Sequence, residues 1–384
     1  MTIIFIGNYK PDKQESMERF TLMLSEGFTN AGMEIKIWRP YVFFGIKSLD
    51  PYKGLGKYLG YLDKWLVFPL VLKFRILTKV NKANSVFYHV CDHSNAPYLK
   101  YLPKNNSGIT CHDVLAIRGA LGYADAYCPA TKMGQILQKW ILKNLSKAHK
   151  MACVSHHTMF QLKELSPSAS WKNKEWRVIH NAFNAPFYPM LPEEYGTLLK
   201  PFGMDKADEF ILHVGSSLPR KNRKLLIDML KKLEGKWHGY VCFAGDVLEK
   251  ELMDYATHLG LSHRVMSMER PEHTVLVALF SACKAFVFPS LSEGFGWPLI
   301  EAQACGAPVI ASNLNPMPEV SGGAAIHADP LNPQLFAEAF LKLQNESFRN
   351  ELIEKGFENI QRFSNEQMIH GYLDLFDLKK QEQS

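Results

Sequence analysis

The chain has 384 residues, 47% hydrophobic and 12% aromatic, which is enough to bury a large core and is a length typical of two domains. Its net charge of +6 is spread along the chain, so it suits phosphate ligands or an anionic membrane surface and excludes a nucleic-acid-binding protein. Seven isolated cysteines without a C-x-x-C pair predict a reduced, cytoplasmic environment.

Short apolar runs alternate with helical patterns in the N-terminal half. The opening MTIIFIGNYKPD lacks the basic and long apolar segments of a signal peptide and indicates a first strand. Strands are predicted at 2–6, 34–38, 85–90, 108–111, 150–154 and 176–179. Helices are predicted at 17–31, 134–147 and 156–165. This alternation favours a parallel, doubly wound sheet.

Prolines and glycines interrupt every periodic pattern between residues 181 and 208, which predicts the domain linker there. The second half then repeats the same pattern. Its strands are predicted at 210–214, 240–243, 264–267, 285–288 and 309–311, and helices at 224–233, 249–259 and 274–282. A capping box from Ser364 to Gln367 predicts a last helix from 365 to about 379. The predicted divisions are 1–190, 191–363 and a terminal helix in 364–384.

One apolar and aromatic stretch, 58–80, is interrupted by charges and Pro69 and therefore does not predict a transmembrane span. Basic residues are interleaved with it from Lys57 to Lys82. The pattern fits a buried helix and loop pair, and it also fits a surface that dips into an anionic membrane to meet a lipid-linked acceptor.

Two carboxylates, Glu293 and Glu301, bracket a glycine-hinged loop in FVFPSLSEGFGWPLIEAQACGAPVIAS, residues 286–312. The run 286–288 predicts a buried strand, and Pro298 suits the first turn of a helix over 299–305. The start of a helix exposes unpaired backbone N–H groups that hold anions or sugar oxygens. The stretch therefore predicts a ligand site.

This stretch resembles the E-x7-E motif of family-4-like retaining glycosyltransferases, whose GT-B fold has two Rossmann-like domains facing a central cleft. The resemblance implies that Glu293 faces the transferred sugar and that Glu301 binds the ribose of the nucleotide. It also implies that the first domain binds the acceptor, that the second binds a nucleotide-diphospho-sugar, and that the last helix crosses back to the first domain.

Other donor contacts follow from the same resemblance. Backbone amides of Phe295, Gly296 and Trp297, ahead of Pro298, are expected to hold sugar oxygens or the diphosphate. The sequence VGSSLPRKN, which includes Gly215, follows a strand at the place where the family carries an Arg and a Lys for the diphosphate. Ser216 replaces the family's early arginine, so Arg220 and Lys221 are expected to supply the charge. No Asp-x-Asp is present, and no metal or cofactor is expected.

The N-terminal half contributes further candidates. His112, within TCHD, resembles the family's T-x-H-D segment and is expected to orient the sugar. The HVCDHSN run, which begins at His89, is expected to contact the acceptor or to be structural, because it lacks ligands at zinc spacing. The loop 7–17 has only Gly7 where the family usually has a glycine-rich segment. Ser155 is expected to cap a helix, and Asn181 resembles a position that bounds the cleft.

The resemblance implies metal-independent transfer of a hexose-type sugar from a UDP- or GDP-sugar to a glycan or lipid-linked acceptor. Base recognition is expected near 268–272. Two alternatives stay open: a nucleotide-sugar epimerase, and a non-catalytic module that binds nucleotide sugars. A sugar phosphorylase is disfavoured because no pyridoxal-binding lysine motif is present. The sequence leaves the oligomeric state undecided.

Overall fold

The computed structural model describes residues 1–45, 54–79, 86–167, 171–172, 174–204 and 209–378. Several predicted positions lie outside the described residues: Val80, Lys82, Ser85, Lys379 and linker residues 205–208. The chain divides into two compact units. The first comprises 1–122, 129–184 and the C-terminal residues from Asn365, and the second comprises 123–128 and 185–364.

The first unit is built on a parallel sheet of six described strands in the order β2-β1-β3-β4-β5-β6. The strands are β1 (Thr2–Ile6), β2 (Glu34–Trp38), β3 (Val86–Val90), β4 (Ser107–Cys111), β5 (Lys150–Cys153) and β6 (Glu175–Val178). Its helices are α1 (Glu15–Asn30), α2 (Gly54–Leu62), α3 (Phe68–Lys79), α4 (Leu115–Ala120), α5 (Lys132–Leu145) and α6 (His156–Leu165).

The last helix of the chain, α15 (Asn365–Leu375), also packs in the first unit. The Tyr372 hydroxyl lies 2.8 Å from Thr110 Oγ1, and the Phe376 ring stacks on Phe87 at 4.1 Å between centroids. Tyr372 is fully buried. Aromatic burial of this kind stabilises the unit by about 2 kcal/mol per side chain, so α15 is part of the first unit's core.

The second unit has a parallel sheet of six described strands in the order β12-β11-β10-β7-β8-β9. The strands are β7 (Phe210–Gly215), β8 (Tyr240–Gly245), β9 (Val265–Glu269), β10 (Ala285–Phe288), β11 (Val309–Ser312) and β12 (Ile326–Ala328). The helices are α7 (Pro192–Leu199), α8 (Arg223–Lys232), α9 (Lys250–His258), α10 (His273–Ala282), α11 (Trp297–Ala304), α12 (Met317–Ser321), α13 (Pro333–Lys342) and α14 (Glu346–Ile360).

Strand order reverses once in each sheet. In the second unit β7 and β10 are neighbours, and the chain continues outward from them in opposite directions. In the first unit β1 and β3 have the same relationship. Loops that follow the two central strands diverge at such a point and leave a crevice, where doubly wound folds bind ligands. The topology therefore directs attention to the loops after β7, β10, β1 and β3.

The segment from α2 to α3 forms one continuous helical stretch, in which a π turn over Asp63–Val67 joins the two helices. Its inner side contains fully buried Phe68 and Leu72. Within the described residues, no helix combines the length and the apolar composition that crossing a bilayer requires.

The region predicted as the domain linker, 181–208, contains helix α7. Pro192 occupies the first position of α7, where a missing N–H costs nothing, and the Glu194 carboxylate accepts a hydrogen bond from Leu191 N at 3.0 Å. The strand predictions agree with the observed strands to within two residues at each end in the described parts. Strand β12 and helices α4, α7 and α12 to α14 were not predicted.

Candidate functional site

The loops after β7 and β10 contact each other at the switch point of the second sheet. Leu291 N donates a hydrogen bond to Arg220 O at 2.8 Å, and Arg220 Nη1 donates to Ser292 O at 3.1 Å. The predicted basic pair and the predicted glutamate loop therefore form one structure, as expected where strand order reverses.

Glu293 is the centre of the charge cluster in these loops. Its Oε1 lies 2.6 Å from Lys221 Nζ, and its Oε2 lies 2.7 Å from Arg220 Nη1. Lys221 Nζ also lies 5.0 Å from the centre of the Phe288 ring. The Glu293 and Lys221 side chains are 8% and 10% exposed, so this is a buried pair that solvent screens little. One carboxylate thus holds two cations in a fixed position.

Burial and charge act in opposite directions on Glu293. Burial raises the pKa of its carboxyl group, but Lys221 and Arg220 outweigh this and hold the pKa below its ordinary value. For Lys221, burial lowers the pKa of the ammonium group, while Glu293 and Glu301 oppose that shift. Glu293 is therefore ionised at neutral pH, and its charge helps Lys221 to keep its proton.

Asn222 holds this arrangement together, although the sequence analysis did not single it out. Its Nδ2 donates to Pro289 O at 3.2 Å and to Pro330 O at 2.7 Å. Its backbone is left-handed, with φ of 55°, which asparagine tolerates better than most residues. An Asn directly after Arg220 and Lys221, at the start of α8, was the available signal.

Helix α11 begins beside the loop that carries Glu293. Gly296 caps it with φ of 99°, and Pro298 lies in the first turn as predicted. The helix starts two residues earlier than expected, at Trp297. Glu301 is buried in the helix, and the charge of its carboxylate acts to raise the pKa of Lys221. The predicted contact residues Phe295, Gly296, Trp297 and Pro298 are thus next to the cluster in sequence and at a helix N-terminus.

Two glycines face each other where β7 and β8 end. Gly215 pairs with Gly245 in register, and Ser216 follows Gly215 directly. Gly245 has φ of 130°, and a Cβ atom added to it would lie 2.3 Å from Gly215 O. Near Gly215, a Cβ atom would contact the side-chain carbons of Lys221 at 3.5 Å. The Gly215 carbonyl therefore leaves no space for a side chain at Gly245, whereas a Cβ atom at Gly215 would make only ordinary van der Waals contacts.

We predict that Gly245→Ala lowers the free energy of unfolding by about 2 kcal/mol, since it adds backbone strain to a collision with the Gly215 carbonyl. Gly260→Ala is the matched control. Gly260 also has positive φ, at 73°, but it has open space around it. Gly260→Ala should therefore lower the free energy of unfolding by only about 1 kcal/mol. Urea unfolding of both variants measures the difference. Equal losses would contradict the close contact at Gly215.

His112 follows β4 in the first unit, so it belongs to a different unit from Glu293. Its Nε2 donates to Cys91 O at 2.8 Å, and its ring meets Phe20 edge to face at 4.5 Å. Burial lowers the pKa of His112, and neighbouring Asp92 opposes this only in part. His112 is therefore neutral near pH 7, with Nδ1 as the hydrogen-bond acceptor of the ring.

The loops after β1 and β3 meet at the switch point of the first sheet. Asn8 Nδ2 donates to Asp92 Oδ2 at 2.6 Å, Asn95 Nδ2 donates to Asn8 Oδ1 at 2.8 Å, and Gln14 also contacts Asn8. A cavity of about 130 Å³ lies here. It is lined in part by Asn8, Tyr9, Gln14, Lys64, Ser94 and Asn95. The loop 7–17 thus presents amides and hydroxyls to a small polar cavity.

Three other residues of the first unit that belong to predicted motifs, Asp92, His89 and Ser155, make structural contacts. Asp92 accepts hydrogen bonds from Ser94 N and Oγ and caps the 3-10 helix that follows, while His89 Nε2 bonds Thr110 Oγ1 at 2.8 Å. Ser155 caps α6, because its Oγ accepts a hydrogen bond from Thr158 N at 3.0 Å. This confirms the capping prediction for Ser155.

Known proteins resemble this chain in sequence and in fold. Residues 197–359 match the family described as glycosyl transferases group 1. Over 192 residues the chain is 31% identical to the O-antigen chain mannosyltransferase B of Escherichia coli, covering 48% of this chain and 49% of that protein. The chain therefore spans about half the length of that relative.

Solved structures match over almost the whole chain. Sucrose-phosphate synthase of Thermosynechococcus elongatus is 17% identical with a TM-score of 0.72, and the match covers 100% of both chains. The Anabaena protein HepE, in complex with UDP and glucose, is 17% identical with a TM-score of 0.69 and covers 98% of this chain and 99% of its own. The chain therefore has the predicted GT-B fold, and residues 197–359 of its second unit match the family of glycosyl transferases group 1.

Proposed function

We propose that the protein is a retaining glycosyltransferase that moves a hexose-type sugar from a nucleotide-diphospho-sugar to a hydroxyl group of a glycan or lipid-linked acceptor. The observation that carries this proposal is the cluster of Arg220, Lys221 and Glu293 at the switch point of the second sheet. The cluster lies inside the segment that matches the glycosyl transferases of group 1.

The chemistry of the leaving group explains why two cations are needed. When the bond between the anomeric carbon and the diphosphate oxygen breaks, negative charge develops on that oxygen. Arg220 and Lys221 are already held in place by Glu293, so little reorganisation precedes the reaction. Side-chain cations supply the charge stabilisation, and the proposed reaction is metal-independent and uses no cofactor besides the donor.

The acceptor oxygen then forms the new bond on the same face of the sugar, and its proton passes to the leaving diphosphate. We assign Glu301 to the ribose hydroxyls, because a carboxylate accepts two hydrogen bonds from a diol. Gly215, Ser216 and the residues from Phe295 to Pro298 contribute donor contacts. Glu293 orients the sugar in addition to holding the cations.

The first unit is proposed to supply the acceptor side. From the same unit, neutral His112 is proposed to orient the transferred sugar. Its Nδ1 can accept a hydrogen bond from a hydroxyl of that sugar, because its Nε2 already donates to Cys91 O. The polar cavity around Asn8 and Gln14 suits acceptor hydroxyls. Seven free cysteines are consistent with a reduced, cytoplasmic location.

A thermal-shift panel of UDP-, GDP-, ADP- and TDP-sugars tests the function. A ligand that binds only the folded protein raises the apparent stability, by about 2.7 kcal/mol at 100 times its Kd. The relatives direct attention to two donors, since one is a mannosyltransferase and the other was solved with UDP and glucose. We therefore expect the largest shift with a GDP-mannose or UDP-glucose type of donor. No shift with any nucleotide sugar would refute the proposal.

We predict that Glu301→Ala removes most of this shift, because the ribose loses its carboxylate partner, at a cost of about 2 kcal/mol in nucleotide binding. Glu338→Ala, on an exposed helix position, is the control and should bind as the unmodified protein does. Donor consumption without acceptor would favour the epimerase. Binding without release of diphosphate, with any acceptor tried, would favour the non-catalytic module.

A further inference from the structure

The helical stretch from α2 to α3 exposes a continuous row of large apolar side chains. The row, here called the apolar stripe, consists of Leu55, Tyr58, Leu62, Leu66, Leu70, Phe74 and Leu77. Their exposed fractions run from 41% at Leu62 to 69% at Phe74. Isolated apolar residues are normal on a surface, but a contiguous row marks an interaction site.

The π turn helps to keep this row straight. In an α-helix, residues four apart are offset by about 40° around the axis, so a row with this spacing would gradually rotate around the helix and leave the exposed side. The stripe advances by four residues at each step between Tyr58 and Phe74. The wider turn over Asp63–Val67 opposes the drift, and the stripe stays on the outer side of the stretch.

A neighbouring loop adds more apolar surface and is held rigidly in place. Asp63 is fully buried, and its carboxylate accepts hydrogen bonds from the backbone N–H groups of Phe43, Phe44 and Gly45 at 3.1, 2.8 and 3.0 Å. Tyr9 donates a further hydrogen bond to Asp63 at 2.8 Å. Phe43 is nevertheless 72% exposed. A buried carboxylate thus fixes a loop whose apolar side chains face outward.

The charges on this stretch select the partner. Residues 54–78 carry Lys57, Lys64, Lys73 and Arg75, and the single carboxylate among them is the buried Asp63. Lys73 is exposed beside the stripe, and Lys57 is half-buried. A second copy docked on the stripe would bring the same cations together with no exposed carboxylate on 54–78 to neutralise them. An anionic phospholipid surface supplies both the apolar layer and the negative charge.

We propose that the apolar stripe and the loop 41–44 dock on an anionic phospholipid bilayer, with the apolar side chains inserted among the acyl chains and Lys57 and Lys73 at the headgroups; Lys64 is already paired with Asp12 at 2.8 Å. The surface is distinct from the Glu293 cluster and does not depend on the proposed reaction. It also places the polar cavity near the membrane, because Tyr61 and Lys64 of the same stretch line that cavity.

Sedimentation of the full chain with phospholipid vesicles tests the proposal, without nucleotide or acceptor. We expect binding to vesicles of phosphatidylcholine mixed with phosphatidylglycerol, and weaker binding to phosphatidylcholine alone. Leu70→Ser with Phe74→Ser should reduce the affinity at least about tenfold, since two exposed apolar side chains no longer insert. The matched control, Phe160→Ser with Leu331→Ser, removes equally exposed apolar groups elsewhere and should bind normally.

A charge variant gives a second, independent measurement, which does not require the Leu70→Ser, Phe74→Ser variant to fold. Lys57→Gln with Lys73→Gln should weaken binding roughly tenfold at low salt, and the difference should disappear at high salt. Equal binding to both kinds of vesicle, or unchanged binding by the Leu70 and Phe74 variant, would overturn the proposal. The proposal would also be overturned if analytical ultracentrifugation showed a dimer of the unmodified protein and the Leu70 and Phe74 variant abolished that dimer.

Discussion

Lys221→Ala is expected to lower the turnover number at least about 100-fold, because one of two fixed cations no longer stabilises the charge that develops on the leaving diphosphate. Lys221 is held 2.6 Å from Glu293 and above the Phe288 ring, and its side chain is only 10% exposed. Its loss removes an interaction that strengthens in the transition state, so kcat should fall more than the donor affinity.

The measurement is the release of nucleoside diphosphate with the donor that the thermal-shift panel identifies, at several donor concentrations. Lys224→Ala is the matched control. Lys224 lies three residues further on, but its side chain is 58% exposed and contacts Asp228 and the Tyr255 ring, so turnover should stay unchanged. If folded Lys221→Ala protein turned over at the normal rate, Lys221 would have no part in the reaction.

The sequence predicts the parts of the site that depend on local pattern. Buried parallel strands appear as short apolar runs, so β7 and β10 were correctly located, and residues that follow such strands gather at one edge. Pro298 in a first turn and Gly306 after the helix, with φ of 75°, are local signals as well. The roles expected for Arg220, Lys221 and Glu293 came from the resemblance to family-4-like glycosyltransferases and not from these local signals.

The pairing within the site could not be predicted in the same way. Glu293 is 72 positions after Lys221, and no local pattern indicates that its two oxygens engage two different cations. The same limit applies to Asp63, whose partners in the loop 41–45 lie about twenty positions earlier. Contacts of this kind depend on the order of strands, which a single sequence leaves open.

The missed and ambiguous elements have separate physical causes. Strand β12 has three residues and alternates too briefly to show a period, while α7 begins with a proline that also suggests a linker. The stretch 58–80 was ambiguous because its apolar residues cover more than one helix face. Only the packing of Phe68 and Leu72 inward shows which apolar residues remain outside.

Glu293→Gln is expected to lower the free energy of unfolding by about 3 kcal/mol at neutral pH, because it leaves buried Lys221 and partly exposed Arg220 without their shared counter-ion. The amide has the same shape, so the change removes charge without creating a cavity. Glu351→Gln is the matched control. Glu351 also lies 2.6 Å from its partner, Lys355, but both side chains are more than half exposed. Its loss should cost less than about 1 kcal/mol.

The pH dependence of that difference follows from the direction of each pKa shift. The pKa of Glu293 is lowered in the folded protein, so its contribution is complete above the ordinary carboxyl pKa of 4.5 and is lost as the pH falls through the folded value. The pKa of Lys221 is lowered by burial, and without Glu293 it should fall further. Raising the pH then discharges Lys221 in the variant before it does so in the unmodified protein. The difference in free energy of unfolding between the unmodified protein and Glu293→Gln should therefore be largest near neutral pH and smaller at acidic and alkaline pH, as measured by urea unfolding across pH.

A difference that stays constant from acidic to alkaline pH, or one no larger than that of Glu351→Gln, would mean that the charge of Glu293 does not stabilise the second unit.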